Sequence, residues 1–172
     1  RDLGITAVDT ARIIGAGATA TSALVALAEL GAGRVDVVAR RPDALVPLVR
    51  IGTRLGMTVV GSPFGASDRS VVDVTIATLP GDATVMDPAA DALAASGGPL
   101  LDVVYGHWPT SLSAAWERSG QPAASGLGML LHQAVLQVRV FVTGTVDVPL
   151  DDEPSVIAAM RLATSSRNGL TS

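Results

Sequence analysis

Residues 11–20 read ARIIGAGATA, a short apolar run, a glycine-rich turn and the start of an alanine-rich stretch. The segment Gly15-Ala16-Gly17-Ala18-Thr19-Ala20 fits the G-x-G-x-x-G/A pattern, whose spacing is set by sterics. Its first glycine makes a tight turn, its second lets the backbone approach a pyrophosphate, and its third small residue lets a helix pack closely on a strand. Unpaired N–H groups at the helix start then face the anion. Gly/Ala-rich turns also join strands to helices without any ligand, so the flanking residues carry weight. Arg12, Ile13 and Ile14 feed the turn, Leu24, Ala28 and Leu30 mark one apolar face over 21–30, and Gly31 and Gly33 supply a helix stop. A dinucleotide is the expected ligand.

The second strand, expected over 35–39, decides which dinucleotide. A strand built for NAD ends in an acid that takes the ribose 2′-hydroxyl, whereas this one reads VDVVA and opens onto Arg40 and Arg41. Asp36 sits mid-strand, away from the end where that acid is wanted. Planar, permanently charged guanidinium groups suit a 2′-phosphate, so the pair points to NADP. A solvated arginine pair on a loop is the alternative.

Composition narrows the remaining classes. The chain has 172 residues, 48% hydrophobic and 3% aromatic, which suits one main α/β core. A net charge of −4, with arginines scattered apart from the one pair, provides no basic field, so no nucleic-acid partner is expected. There is no cysteine, and His107 and His132 lack a ligand cluster, so no metal is assigned. No apolar run approaches the roughly eighteen residues that span a bilayer, and residues 1–10 lack a secretion-signal layout, so no membrane partner and a cytoplasmic location are expected. The chain begins with Arg1, and a piece preceding it is expected to belong to the whole protein.

Further along, 42–55 reads as a helix with Pro42 in its first turn and Leu45, Leu48, Val49 and Leu55 on the packing side. Strands are expected at 57–60, 71–78 and 99–104, with a helix over 87–95. The loop 61–70 is too short for an ordinary parallel crossover, so a reduced or missing helix is expected there. Strands alternating with helices give a Rossmann-like, doubly wound, mainly parallel sheet with flanking helices. This domain is expected over 1–146, with 147–172 a C-terminal helix and tail of the same unit. Acids at 151–153 favour the start of a helix over 154–163, and the last residues are expected to fray.

Three later segments are more specific: LDVVYGHWPTSL at 101–112, SGLGMLLHQA at 125–134, and 141–144. Together with the glycine turn they resemble the nicotinamide-binding domain of shikimate dehydrogenases. Asp102, Tyr105, Thr110, Gly126, Met129, Gln133 and Gly144 match that family's pattern in order, over roughly 11–144. The resemblance implies a parent enzyme of aromatic amino acid biosynthesis that reversibly reduces 3-dehydroshikimate to shikimate with NADPH. It implies that the turn from Gly15 to Ala20 binds the pyrophosphate and that Arg40 and Arg41 take the 2′-phosphate. It further implies that Thr78, Val103, Gly126 and Met129 complete the cofactor contacts, Val103 and Gly126 beside the nicotinamide, and that Tyr105 and Gln133 reach the small-molecule substrate. Ala39 and the pair Gly106-His107 depart from the family's Asn and Asn/Asp-Pro.

Helical spacing places Gly126, Met129, Gln133 and Gln137 on one face, with Leu127, Leu130, Leu131, Ala134, Val138 and Phe141 as the packing surface. A cleft wall and a plain surface face are both open for the glutamines, as are packing and substrate contact for Tyr105. All 12 basic residues are arginine. The lysine that the family pairs with an aspartate, both on an N-terminal substrate domain, is therefore not here, nor is the lysine of a short-chain reductase. No catalytic residue is assigned in this chain; Asp102 reads as a strand-end structural acid and His107 as an exposed loop residue. Alone, the chain is expected to bind NADP(H) and turn over little or nothing. A quinate/shikimate dehydrogenase using NAD, and a non-catalytic nucleotide-sensing module, remain as alternatives.

Overall fold

The first strand, β1 (Thr10–Ile14), has residues 11–14 buried, as a strand covered on both faces must be. The computed structural model describes residues 3–66, 69–106 and 108–168, the last four without their side chains. β1 pairs in parallel with β2 (Arg34–Val38) on one side and with β4 (Val74–Ala77) on the other. β3 (Thr58–Ser62), β5 (Leu100–Asp102) and β6 (Ala123–Ser125) complete a six-stranded, all-parallel sheet of order β3-β2-β1-β4-β5-β6.

Alternation along the strands makes two apolar layers. Ala11, Ile13, Val35 and Val37 pack with Leu24 and Leu27 of α1 (Ala18–Glu29) and Leu48 of α2 (Val46–Arg54). Ile14, Val38, Ala77 and Leu100 pack with Leu93 of α3 (Asp87–Ala94) and with Leu112 and Trp116 of α4 (Ser111–Arg118). Trp116 has no exposed surface, and its indole N–H donates to the Gly98 carbonyl at 2.6 Å, so its one polar atom is satisfied.

Arg12 shares the second face and is also fully buried. It donates from Nε to Asp36 at 3.0 Å, from Nη2 to the Ser70 carbonyl at 2.8 Å, and from Nη1 to Ser96 Oγ at 3.0 Å. Ser62 and Arg69 join through Asp36. Between β3 and β4 no helix occurs among the described residues, as the short spacing predicts. The polar cluster lies on the part of the sheet such a helix would cover.

By compactness the chain divides into two units, Arg1–Gly126 and Leu127–Ser172; the sequence reading drew its line between 146 and 147. The second unit pairs α5 (Leu127–Thr143) with α6 (Glu153–Asn168). Arg139 grips both carboxylate oxygens of Glu153 at 2.6 Å, a bidentate geometry. Helix α6 is longer than the expected 154–163.

Three packing assignments are corrected. The helix read over 42–55 opens as a 3-10 turn, Pro42–Leu45, before α2; Val49 lies about 100° round α2 from the buried Leu48, Leu55 caps the end of the helix, and each is 40% exposed. On α5 the buried line is centred on Val135, and Leu130 and Phe141 lie about 120–140° round the helix from it. Both are exposed, Phe141 at 87%. Strand β4 is shorter than 71–78: Val71 is exposed, and Asp73 turns to accept from the Asp9 and Thr10 amides at 2.9 and 2.8 Å.

Candidate functional site

The order of strands reverses between β1 and β4, and in open α/β sheets ligands bind outside the carboxyl ends of the strands at such a point. The glycine turn occupies this place. Gly15 has φ +110°, and a Cβ there would stand 2.6 Å from Thr78 Oγ1 and 3.2 Å from the Thr78 carbonyl. Its N–H donates to the Val38 carbonyl at 2.8 Å, while the Thr78 amide and hydroxyl both donate to the Ile14 carbonyl, at 2.8 and 3.1 Å. The turn is thus clamped between the ends of β2 and β4, with Thr78 behind it.

Gly17 differs. It is the N-cap of α1, has an ordinary φ of −92°, and makes no side-chain cap bond. Its chain neighbours aside, no atom of the described residues lies within 4 Å of a Cβ built there. Nothing in the protein's own packing demands glycine at this position, whereas close approach of a ligand to the backbone does. Ala18 and Thr19 are exposed, Ala20 is buried against the sheet, and the first turn of α1 carries no acid to repel an anion.

Arg40 and Arg41 are exposed just beyond β2, and no ion pair holds either one among the described residues. Arg40 lines a cleft of about 500 Å³ with Phe64, Leu79, Pro80, Val85 and Met86, an apolar groove with a cation at its edge and of a size that admits a small ligand. Asp36 is tied to Arg12 and Ser62, so it is committed to the fold.

At the end of β5, Asp102 is buried and accepts from the Thr110 hydroxyl at 2.7 Å and the Val104 amide at 3.2 Å. Thr110 also caps α4 through the Ser113 amide. Asp102 therefore ties together the two ends of the loop that displays Tyr105, which is 57% exposed. Burial pushes its carboxyl above the usual carboxylate range, against the opposing pull of the Thr110 and Val104 hydrogen bonds. A raised value means the folded chain holds this proton at a pH where the unfolded chain has lost it. Stability is therefore lost as pH rises from the ordinary carboxylate range through the folded value. Replacing Asp102 by Asn should remove that loss, so the melting temperature of Asp102→Asn relative to wild type should be higher at pH 7 than at about pH 4. The same difference at both values would contradict the assignment.

Gly126 donates from its amide to the Val104 carbonyl at 3.1 Å, and a Cβ on it would strike the Val103 carbonyl oxygen. Val103 and Gly126 are thus brought together. Met129 and Gln133 lie four residues apart on α5, Met129 half-buried and Gln133 exposed.

No family model matches the chain. The NADP(+) shikimate dehydrogenase of Geobacter sp. (strain M21) is 38% identical over 163 residues, covering 88% of this chain and 54% of that protein. The crystal structure of Mycobacterium tuberculosis shikimate dehydrogenase superposes with a TM-score of 0.74 at 39% identity, covering 91% of this chain and 57% of that one. That of a shikimate 5-dehydrogenase from Mycobacterium fortuitum gives 0.75 at 38% identity, covering 90% and 56%.

The chain belongs to the shikimate dehydrogenase family. It spans about half the length of the curated relatives it matches. Within this shikimate dehydrogenase fold, the sequence reading assigned the glycine turn and the arginine pair but not Phe64, Leu79 or Met86 of the cleft. Leu79 carried a usable signal, since it follows a strand at the carboxyl edge of the sheet, next to the strand-order reversal. Phe64 carried none, because it lies in a loop with no periodicity. His107 lies outside the described residues.

Proposed function

We propose that this chain is the NADP(H)-binding domain of a cytoplasmic shikimate dehydrogenase, the enzyme that reversibly reduces 3-dehydroshikimate to shikimate. The observation that carries this reading is the pairing of an uncapped glycine turn at the strand-order reversal with two exposed arginines at the end of β2 that no ion pair holds among the described residues. The backbone of Gly15, Ala16, Gly17, Ala18, Thr19 and Ala20 holds the pyrophosphate. Arg40 and Arg41 take the 2′-phosphate in paired, charge-assisted hydrogen bonds, and the groove between Arg40 and Met86 receives the adenosine. Thr78 fixes the turn from behind, and Val103 and Gly126 face the nicotinamide. When bound, NADPH supplies the hydride.

Tyr105, displayed by the loop after β5, orients the substrate through its polar groups. The proton that completes the reduction requires a positioned acid. Asp102 does not serve, because both its oxygens are engaged inside the protein. The acid and the lysine are assigned to the half of the relatives' length that this chain does not span.

The experiment is a calorimetric titration of Arg40→Ala/Arg41→Ala. NADPH binding should weaken by at least about tenfold, the value of roughly one charge-assisted hydrogen bond, while NADH binding hardly changes. Equal losses for both cofactors would remove the 2′-phosphate assignment.

A further inference from the structure

The last residues of five strands lie in one row across the sheet: Val38 pairs with Ile14, Ile14 with Ala77, Ala77 with Asp102, and Asp102 with Ser125. The residues that follow them, Ala39, Gly15, Thr78, Val103 and Gly126, line the carboxyl edge in that order. Neighbouring strands lie about 4.8 Å apart, so Val103 stands about 10 Å along this edge from the glycine turn, on the side away from Arg40. A dinucleotide with its pyrophosphate at the turn and its 2′-phosphate at Arg40 lays its other half across the ends of β4, β5 and β6.

The backbone at the end of β5 is held from three sides. The Val103 amide donates to the Ala77 carbonyl at 3.0 Å. The Val104 carbonyl accepts from the Gly126 amide at 3.1 Å, and Gly126 lies so close to the Val103 carbonyl that no side chain fits there. The third hold comes from a side chain. Asp102, 2% exposed, accepts from the Val104 amide on Oδ1 at 3.2 Å and from the Thr110 hydroxyl on Oδ2 at 2.7 Å. A carboxylate that takes the amide two residues on turns the chain out of its strand. Burying such a group is costly, and the capping box of α4 is complete with Thr110 and Ser113 alone. Neither packing nor the helix calls for an acid at this position.

We propose that Asp102 is a positioning residue for the nicotinamide end of the cofactor, its carboxyl group holding the backbone of Val103 and Val104 in the shape against which the ring rests. This rests on the reading of the chain as an NADP(H)-binding domain. Asp102 touches no ligand itself; it acts through Val103 by fixing the peptide that follows it, so the ring meets a wall already formed.

The test compares two ligands on the 172-residue chain by calorimetric titration: NADPH, and 2′-phospho-ADP-ribose, which lacks only the nicotinamide ring. The wild-type chain should prefer NADPH by about tenfold or more. Asp102→Ala should abolish this preference while leaving the affinity for 2′-phospho-ADP-ribose within about twofold of wild type, which a general loosening of the fold would not do. Asp102→Asn should keep the preference, because its amide oxygen still accepts from Val104 and its NH2 group meets the Thr110 oxygen. If Asp102→Ala fails to fold, Thr110→Val decides: a preference narrowed by about threefold or more supports the role, and an unchanged one overturns it. Equal affinity of the wild-type chain for the two ligands, equal losses for both in Asp102→Ala, a preference that survives in Asp102→Ala, or one lost in Asp102→Asn would also overturn it. A wild-type chain that binds neither ligand would bring down the cofactor reading itself, and the positioning role with it.

Discussion

Replacing Arg12 by Met should lower the free energy of unfolding by about 3–5 kcal/mol, the usual consequence of removing one partner of a buried ion pair. Arg12 stands on the central strand with no exposed surface, and its register neighbours are Asp36 on β2 and Thr75 on β4. Methionine matches its length but none of its donors. The Ser70 carbonyl and Ser96 hydroxyl would lose a partner at 2.8 and 3.0 Å, and Asp36 would keep only Ser62 and the longer Arg69 contact at 3.7 Å. For a domain of this size such a loss corresponds to a fall in melting temperature of very roughly 10 °C. Urea denaturation measures it, and a change below about 0.5 kcal/mol, the size expected at an ordinary surface position, would show that the cluster does not bind the loop between β3 and β4 to the sheet.

The two glycines of the turn should respond oppositely to alanine. At Gly15 the new methyl meets the Thr78 hydroxyl and carbonyl while the backbone sits at φ +110°. Backbone strain and overpacking together should cost about 2–4 kcal/mol. At Gly17 the methyl meets no atom of the described residues beyond its chain neighbours and the backbone is ordinary, so Gly17→Ala should keep its stability within about 1 kcal/mol. Its effect should fall on the ligand: NADPH affinity should drop by at least about tenfold, because the methyl occupies the space through which the pyrophosphate reaches the amides. Denaturation and cofactor titration on the two variants separate these effects. Unchanged NADPH binding by Gly17→Ala would mean that the open space beside Gly17 is not where the cofactor sits.

What could be read from the sequence follows from how narrowly each feature is constrained. The glycine turn was legible because sterics there admit few residues, and the parallel, doubly wound class followed from the alternation of strand-like runs with helical ones. Arg40 and Arg41 were legible as an absence, a strand ending without its acid. Asp36 was set aside for its mid-strand position, and the structure supplies the reason it is unavailable, its bond to Arg12. That bond joins residues 24 apart on neighbouring strands, a pairing invisible to local pattern. Arg12 itself was read only as a residue leading into the turn.

β6 and α4 were not anticipated either. β6 is Ala-Ala-Ser, without the branched or aromatic residues that mark strands. α4 is capped by Thr110 and Ser113, where the recognisable capping box carries Glu or Gln at the second position. Phe141 was placed inward because it is large and apolar, yet helical geometry carries it away from the Val135 line. Side-chain size overrode angular position in that reading.

The central claim is that a phosphorylated dinucleotide rests on the turn between β1 and α1 with its 2′-phosphate against Arg40 and Arg41. Isothermal titration of the unmodified chain with NADPH and, in parallel, with NADH tests it most directly. Saturable heat at one NADPH per chain is expected, with an affinity for NADH lower by about tenfold or more. No heat with millimolar NADPH, or equal affinity for the two cofactors, would contradict it.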